Sequence, residues 1–523
     1  MKPDFQKENI LRQPVMGTEM EYSNFVIDAY GSDIFAEEYQ KSDGVAIKDS
    51  ILTQFLDSCH SESGFLANGG RCYLGGAHFE TCTPEDISIR GTVASEIANE
   101  SLLLECLSRA QAAGKIKSFR VYKRLISPEL LGWGSHETYL YKIPDNIVKQ
   151  GSSSSDQFMG DTDGIAEAHV VTRNIYAGSG CVIDINAKRL RGDKPQIKFF
   201  LAQKALVVNK DVSPDSLMIK PLINTRKRLY VDENYGLKHI TGGDANLLTG
   251  GNELKLGTTS IVMRLIEARW PLQHLVLEPE KNFQAARQIA GDLTLKRTVR
   301  LASGRSIRPI DIQWALLEAA VQLNDRVGLS NEEQSILGDW ERVLADLEAA
   351  NWSALADRVD WVARYQSLQE FMDKQGVGLN QPYRIMQQDL NWDRIDIASE
   401  GLTKRNQYLE KDVAMKALIE RRKYHPPEDT RAYIRGGLIR YAKGVNMTAV
   451  IWKKIGLNFG GDLDGRPSFT HMLDLGDPYL SPEAKQHWDA VFEDMQRTDF
   501  DPSRWFGENP IGIPKIAPDS KKT

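Results

Sequence analysis

The stretch GGRCYLGGAHFETCTPE, residues 69–85, decides how the rest of this chain is read. Side chains alternate faces along a strand. With residues 71 to 75 extended, Arg71, Tyr73 and Gly75 share one face, while Cys72 and Leu74 turn to the other. His78 and Glu80 are also two apart and project together. A cation, a phenol, an imidazole and a carboxylate gathered on one sheet face are costly to bury and easily kept beside a charged ligand. A second stretch, MGTEMEY at 16–22, complements the first, because Glu19 and Glu21 again fall two apart. A solvated sheet face is the commoner fate of Glu-x-Glu, but apolar neighbours here bury the opposite face. Hard cations such as Mg²⁺ take oxygen ligands, a few carboxylates completed by phosphate and water. The expectation is therefore that Glu19 and Glu80 hold a divalent cation and that Arg71 faces phosphate.

The bulk numbers narrow the class. The chain has 523 residues, 41% hydrophobic and 26% charged, the balance of an ordinary globular protein large enough for a sizeable core. A net charge of −6 gives no general attraction to nucleic acid or to an anionic membrane, and neither partner is expected. Cysteines at 59, 72, 82, 106 and 181 form no CxxC pair and read as reduced thiols. With no signal-like apolar core at the amino terminus and no apolar run of spanning length, a cytoplasmic location is expected.

Along the chain, a strand is expected at Val15–Tyr22 and a helical pattern around residues 50–56. A helix with Val93, Ile97 and Leu102 to Leu104 on its apolar positions follows Thr83-Pro84. Extended segments fill 119–142. Residues 150–164, with four consecutive serines, read as a flexible surface loop rather than an active-site flap. Strands are expected again at His169–Tyr176 and Leu222–Thr225, and Lys255–Thr259 opens an apolar helix, Ser260–Ala268. Residues 310–375 carry an almost unbroken helical pattern, and strand-like Thr448–Trp452 lies in a last small unit beginning near 430. Basic residues cluster at 224–228, at 294–300, and at Arg431 with Arg435, where folding would have to bring them together to clamp a polyphosphate. There is no Walker glycine loop, no dinucleotide glycine spacing, no His-Glu-x-x-His and no Gly-x-Ser-x-Gly elbow.

Ten segments, taken in order, carry a resemblance. They are MGTEMEY (16–22), FLANGGRCYL (65–74), AHFETCTPE (77–85), SHETYL (135–140), VTRNIYAGSG (171–180), LINTR (222–226), LKHITGGDANL (237–247), LKLGTTSIVMRLIE (254–267), TLKRTVRLASGR (294–305) and PPEDTRAYIRG (426–436). The chain resembles the Pup ligase and its sister, the deamidase and depupylase of the prokaryotic ubiquitin-like protein Pup. Both lie within the glutamine-synthetase-like carboxylate-amine ligases. The resemblance implies an α+β fold: a curved antiparallel sheet cradling ATP and Mg²⁺, backed by helices, over residues 1–429, with a small carboxy-terminal domain, 430–523, closing on the nucleotide. By motif, Glu19, Tyr73 and Glu80 would serve the magnesium. Arg71, Thr83, Arg226 and Trp452 would contact ATP, and His239 and Arg431 would line the phosphate end. Implied partners are a Pup-like modifier and a lysine-bearing protein substrate.

One departure stands out. The family pattern Arg-x-Tyr-x-Asp ends here in Gly75, so the catalytic carboxylate of that pattern is missing. A positioned base is worth about two to four orders of magnitude to an amine attacking an acyl phosphate. Asp43, Glu21 and Glu85 stand as substitutes, with no spacing that selects among them. The motifs also divide between the sisters: LKLGTTS and MGTE look like the deamidase, while the short connection from Glu21 to Gly69 looks like the ligase. Three functions follow: an ATP-dependent ligase or amidohydrolase acting on the modifier's terminal Glu or Gln, a nucleotide-binding pseudoenzyme that holds the modifier, or a small-molecule carboxylate-amine ligase.

Overall fold

The computed structural model describes residues 13–28, 32–33, 64–75, 78–127, 130–186, 195–215, 219–226, 234–441, 446–459, 469–497, 500 and 505. Asp43, the helical pattern expected around 50–56, the basic pair Lys227-Arg228 and the tail beyond Trp505 lie outside them. The elements used below are, in order, β1 (Val15–Glu21), β2 (Arg71–Gly75), β3 (His78–Cys82), α1 (Ile89–Ala112), β4 (Ser135–Lys142), α2 (Ser152–Asp161), α3 (Asp163–Thr172), β5 (Lys210–Ser213), β6 (Pro221–Asn224), β7 (Tyr235–Ile240), α4 (Thr249–Glu267) and α5 (Ala432–Tyr441). Helices also fill most of 309–375, as the pattern there predicts, at Pro309–Val327, Asn331–Glu348 and Asp360–Gln375. Among the described residues no helix is long and apolar enough to cross a membrane.

Two compact units divide the chain. One comprises Met1–Asn24, Ser88–Val93 and Arg120–Val413; the other comprises Phe25–Ile87, Ala94–Phe119 and Ala414–Thr523. In the first unit five strands lie in the order β1-β4-β7-β6-β5. The pairs β1–β4, β4–β7 and β7–β6 are antiparallel, as expected, while the edge pair β6–β5 is parallel. The register puts Thr18 opposite Glu137 and Glu137 opposite Ile240, so these share one face with Tyr139 and Lys238. That face is closed by helices. Arg173, at the end of α3, forks onto Glu137 at 2.5 and 3.0 Å, and Tyr139 donates to the same carboxylate at 2.8 Å. Lys238 pairs with Asp163 of α3 at 2.5 Å. Every residue of α4 is buried, which is how a helix behaves inside a large core.

Three expectations fail here, each for a tertiary reason. The serine-rich 150–164 segment is not a loose loop but α2 and the start of α3, with Ser155, Phe158 and Met159 buried. Its serines misled because composition ignores the apolar pair they flank, and Asp163 is held by the buried Lys238 of β7. His169–Tyr176 is helical rather than extended: His169 is buried on α3 beside Thr259 Oγ1 at 3.1 Å, and the Tyr176 hydroxyl donates to Gln313 at 2.9 Å. Burial, with Arg173 beside it, holds the His169 imidazole well below its ordinary pKa, so it stays neutral. Finally, α4 begins at Thr249, six residues before the expected opening at Lys255, so Thr258 and Thr259 lie inside the helix as hydrogen-bonders.

In the second unit β2 and β3 form an antiparallel hairpin, with Tyr73 opposite Glu80 and Gly75 opposite His78. The turn before it is set by Gly69, whose φ of +82° a side chain rarely adopts and whose Cβ would lie 2.8 Å from the Ala432 carbonyl oxygen. This close approach docks the GGR motif against the first turn of α5. A further antiparallel sheet of three strands, Asn446–Ile451, Lys454–Phe459 and Phe469–Asp474, follows α5.

Candidate active site

The face of the first unit's sheet opposite the helices carries the polar row. β1 alternates buried and half-buried residues, with Gly17, Glu19 and Glu21 on the half-buried side. Register places Glu19 beside His136, and Thr138 beside His239. His136 Nδ1–H donates to Glu19 at 3.0 Å, the two imidazole rings meet edge-on with centroids 5.1 Å apart, and the Thr138 hydroxyl lies 2.8 Å from His239 Nδ1. One ligand atom from each of Glu19, His136 and His239 falls within 4.8 Å of the others. A carboxylate with two imidazoles fits a divalent cation, and its nitrogen content suits Mn²⁺ or Zn²⁺ better than Mg²⁺. The sequence named Glu19 and His239 as candidates, and register brings them into the same row. His136 lies in the SHETYL segment without an assigned role, and only the β1–β4 register places it beside Glu19. Arg226 follows β6 and is exposed, its amide bound to Asn224 Oδ1 at 2.9 Å, two residues past the Asn224–His239 pair.

The second unit gathers the other named residues around the hairpin. The Arg71 guanidinium lies over the Tyr73 ring at 4.2 Å and near the Phe65 ring at 5.5 Å. Phe65 in turn meets Trp452 edge-on at 5.0 Å, and the Arg435 guanidinium lies 4.7 Å from the Trp452 ring and 5.1 Å from Phe65. The sequence pointed to Arg71, Tyr73 and Trp452; it did not point to Phe65, or to Arg435 as their link. Thr83 is buried just past β3. Glu80 faces Tyr73 across the hairpin and lies 3.1 Å from His78 Nε2. A Cβ built on Gly75 would lie 1.4 Å from Glu80 Oε1, so the Glu80 carboxylate fills the space a side chain at 75 would need.

Of the substitutes for the missing aspartate, Glu85 is spoken for. Arg431 Nε donates to it at 2.9 Å and Arg435 clamps its other oxygen, all three residues being buried. Burial alone would push the Glu85 carboxyl up, but Arg435 and Arg431 overcome it and hold the group below its ordinary range. It is a carboxylate with both oxygens engaged by buried guanidinium groups. Arg431 is engaged by Glu85 and by the Leu475 carbonyl oxygen at 3.0 Å. Glu21 accepts the Gly134 amide.

Comparison with known proteins agrees with this layout. The Pup-ligase protein family model matches residues 9–456. The chain belongs to the Pup ligase family. It is similar to the Pup–protein ligase of Acidimicrobium ferrooxidans, 31% identical over 408 residues, covering 76% of this chain and 84% of that one. The Pup–protein ligase of Geodermatophilus obscurus is 29% identical over 392 residues, 73% and 81% of the two chains. Among solved structures, the Pup ligase PafA in its complex with Pup superposes with a TM-score of 0.71 at 22% identity, covering 94% of each chain. PafA in complex with ADP gives 0.65 at 22% identity, covering 87% of this chain and 94% of that one. The mixed α and β architecture expected from the motifs is the fold shared with PafA across 94% of this chain.

Proposed function

We propose that this Pup ligase family member uses ATP and a divalent cation to activate the side-chain carboxylate at the end of a Pup-like modifier for attack by a lysine amine. The observation that carries the reading is the family match across residues 9–456, which takes in both polar constellations. Relatives named Pup–protein ligase, and PafA structures holding ADP and Pup, support the nucleotide and the modifier as ligands. In the first unit, the donor set of Glu19, His136 and His239 supports a cation role for Glu19, with His239 in the same row. In the second, Tyr73 and Glu80 are cross-strand partners and offer oxygen donors for magnesium. Arg71, Trp452 and Thr83 lie in the same unit as contacts proposed for ATP, while Arg226 in the first unit supplies an exposed guanidinium for phosphate. Residues 430–523 are proposed as the closing domain. A bound cation would screen phosphate charge; the chain's own contribution is to present carboxylates and guanidinium groups on fixed strands.

A second reading has one observation in its favour. Gly75 supplies no carboxylate and Glu85 is locked, so a nucleotide-binding scaffold that holds the modifier without modifying it also fits. ADP release, followed with magnesium and a peptide ending in Gly-Gly-Glu plus an amine acceptor, separates the two. Stimulated turnover supports the enzyme; nucleotide binding with no turnover on any such peptide leaves the scaffold.

A further inference from the structure

A pair of lysines beside the polar row of the first unit has no role in the chemistry above. Lys204 is only 4% exposed, yet among the described residues no carboxylate lies within 4.0 Å of its ammonium. Its Nζ donates to one acceptor, the Trp133 carbonyl oxygen at 2.5 Å, out of the three bonds an ammonium can give. Lys220, half-buried, donates to the neighbouring Gly132 carbonyl at 2.8 Å. Buried charges are ordinarily paired, and here, among the described residues, two cations at one loop have no carboxylate in contact, only the more distant charge of Glu21.

The loop ties these lysines to the site. Gly134 follows the two gripped carbonyls and gives its amide to Glu21. A Cβ on Gly134 would lie 2.6 Å from Glu21 Oε1 and 2.8 Å from His136 Nε2, so the loop runs directly over the row that holds Glu19. Lys204 is also fixed from behind: Asp244, in the TGGDAN stretch, accepts the amides of Ser179, Gln203 and Lys204 and the Ser179 hydroxyl, at 2.6 to 2.9 Å. Four hydrogen bonds on one carboxylate hold the Lys204 backbone rigid, which is what presenting a charge to a ligand requires. Burial lowers the Lys204 pKa to about 8 against the opposing field of Glu21, so the group is still mostly charged at neutral pH and gains from an anion.

We propose that Lys204 and Lys220 form an oxyanion site for the free α-carboxylate of the substrate's C-terminal glutamate, the residue whose side chain is activated. The inference rests on the proposed function and adds the rule by which the enzyme reads the chain end. Glu21 lies two residues beyond Glu19 on β1, ~7 Å along the strand. A glutamate whose α-carboxylate sits at this end has a side chain long enough to approach the Glu19 row. The nucleotide's phosphoryl oxygens share the same chemistry, and the experiment separates the two sources.

The test uses the full chain with magnesium and a non-hydrolysable ATP analogue. Calorimetry compares a peptide ending in Gly-Gly-Glu with the same peptide carrying a C-terminal α-carboxamide and an intact side chain. The parent binds the free acid about tenfold or more tightly than the amide. Lys204→Met and Lys220→Met bind the two peptides alike, with unchanged affinity for the analogue, while Lys204→Arg keeps part of the preference. Because Lys220 is half-buried, its variant reports even if Lys204→Met folds poorly. The inference is overturned if the parent shows no preference, if the methionine variants keep it, or if they lose analogue affinity instead, which assigns the anion to a phosphoryl group. A parent that prefers the free acid but never releases ADP sinks the proposed activity and leaves the anion site standing. One that releases ADP equally with acid and amide does the reverse.

Discussion

Replacing Gly75 is the sharpest perturbation available. The Cβ of any residue at 75 would sit 1.4 Å from Glu80 Oε1 and 2.2 Å from its Cδ, far inside contact distance. The atoms in the way are the end of a flexible side chain, so Glu80 swings aside at a rotamer cost of about 1 kcal/mol and the hairpin survives. What is lost is function: the 3.1 Å bond from His78 that orients the carboxylate breaks. Losing an orienting partner of this kind costs about ten- to a hundredfold in cation affinity. Gly75→Ala therefore weakens magnesium-dependent nucleotide binding by that factor, with little change in melting temperature. Gly75→Asp does the same and adds a second carboxylate beside the first, worth ~4 kcal/mol of repulsion at 4 Å and an effective dielectric of 20. Titration of nucleotide at several magnesium concentrations, alongside thermal melts, reads both effects. An alanine variant that binds magnesium nucleotide like the parent, together with an aspartate variant that gains activity, would show that Glu80 is not confined by the glycine and refute the steric argument.

Three other outcomes follow from the geometry. Glu85→Gln leaves Arg431 and Arg435 buried without their shared counter-charge and destabilises the chain by about 3–5 kcal/mol; urea unfolding that shifts by less than ~1 kcal/mol would mean the triad is not structural. Glu267 is buried, accepts the Lys142 amide at 2.5 Å, and has its pKa pushed up to about 8 by burial. The folded chain then keeps a proton that the unfolded chain sheds above 4.5, so stability falls as pH rises from about 5 to 8, and Glu267→Gln removes on the order of 3 kcal/mol of that fall. Unfolding curves of parent and variant that remain parallel across this range contradict it. His239→Ala lowers cation affinity about tenfold or more and shifts preference from Mn²⁺ toward Mg²⁺, measured by metal-dependent nucleotide binding; an unchanged preference would remove the imidazoles from the cation site.

The strands bearing the site were legible because their periodicity is local. MGTEMEY and RCYLG alternate polar and apolar residues at the spacing a half-buried strand demands, and β1 and β2 fall where that alternation lies. The long helices of 309–375 were legible for the same reason. The α2–α3 segment was not: its serines and acids make no local case for a helix, and the residues that hold it, Lys238 on β7 and Thr259 on α4, are some 75 to 90 positions away in the chain.

Sequence alone determined which chemical groups this protein owns and which strands carry them, since a period of two or of 3.6 is written into consecutive residues. It also showed that Gly75 lacks a carboxylate. Only the tertiary structure decided what those groups do. It placed His136 beside Glu19 through strand register, turned Glu85 from a free acid into the centre of an arginine triad, and filled the space above Gly75 with Glu80. The first two depend on groups brought together from positions far apart in the chain, and the third on strand pairing within one hairpin, where Coulomb energy and steric exclusion act over a few ångströms.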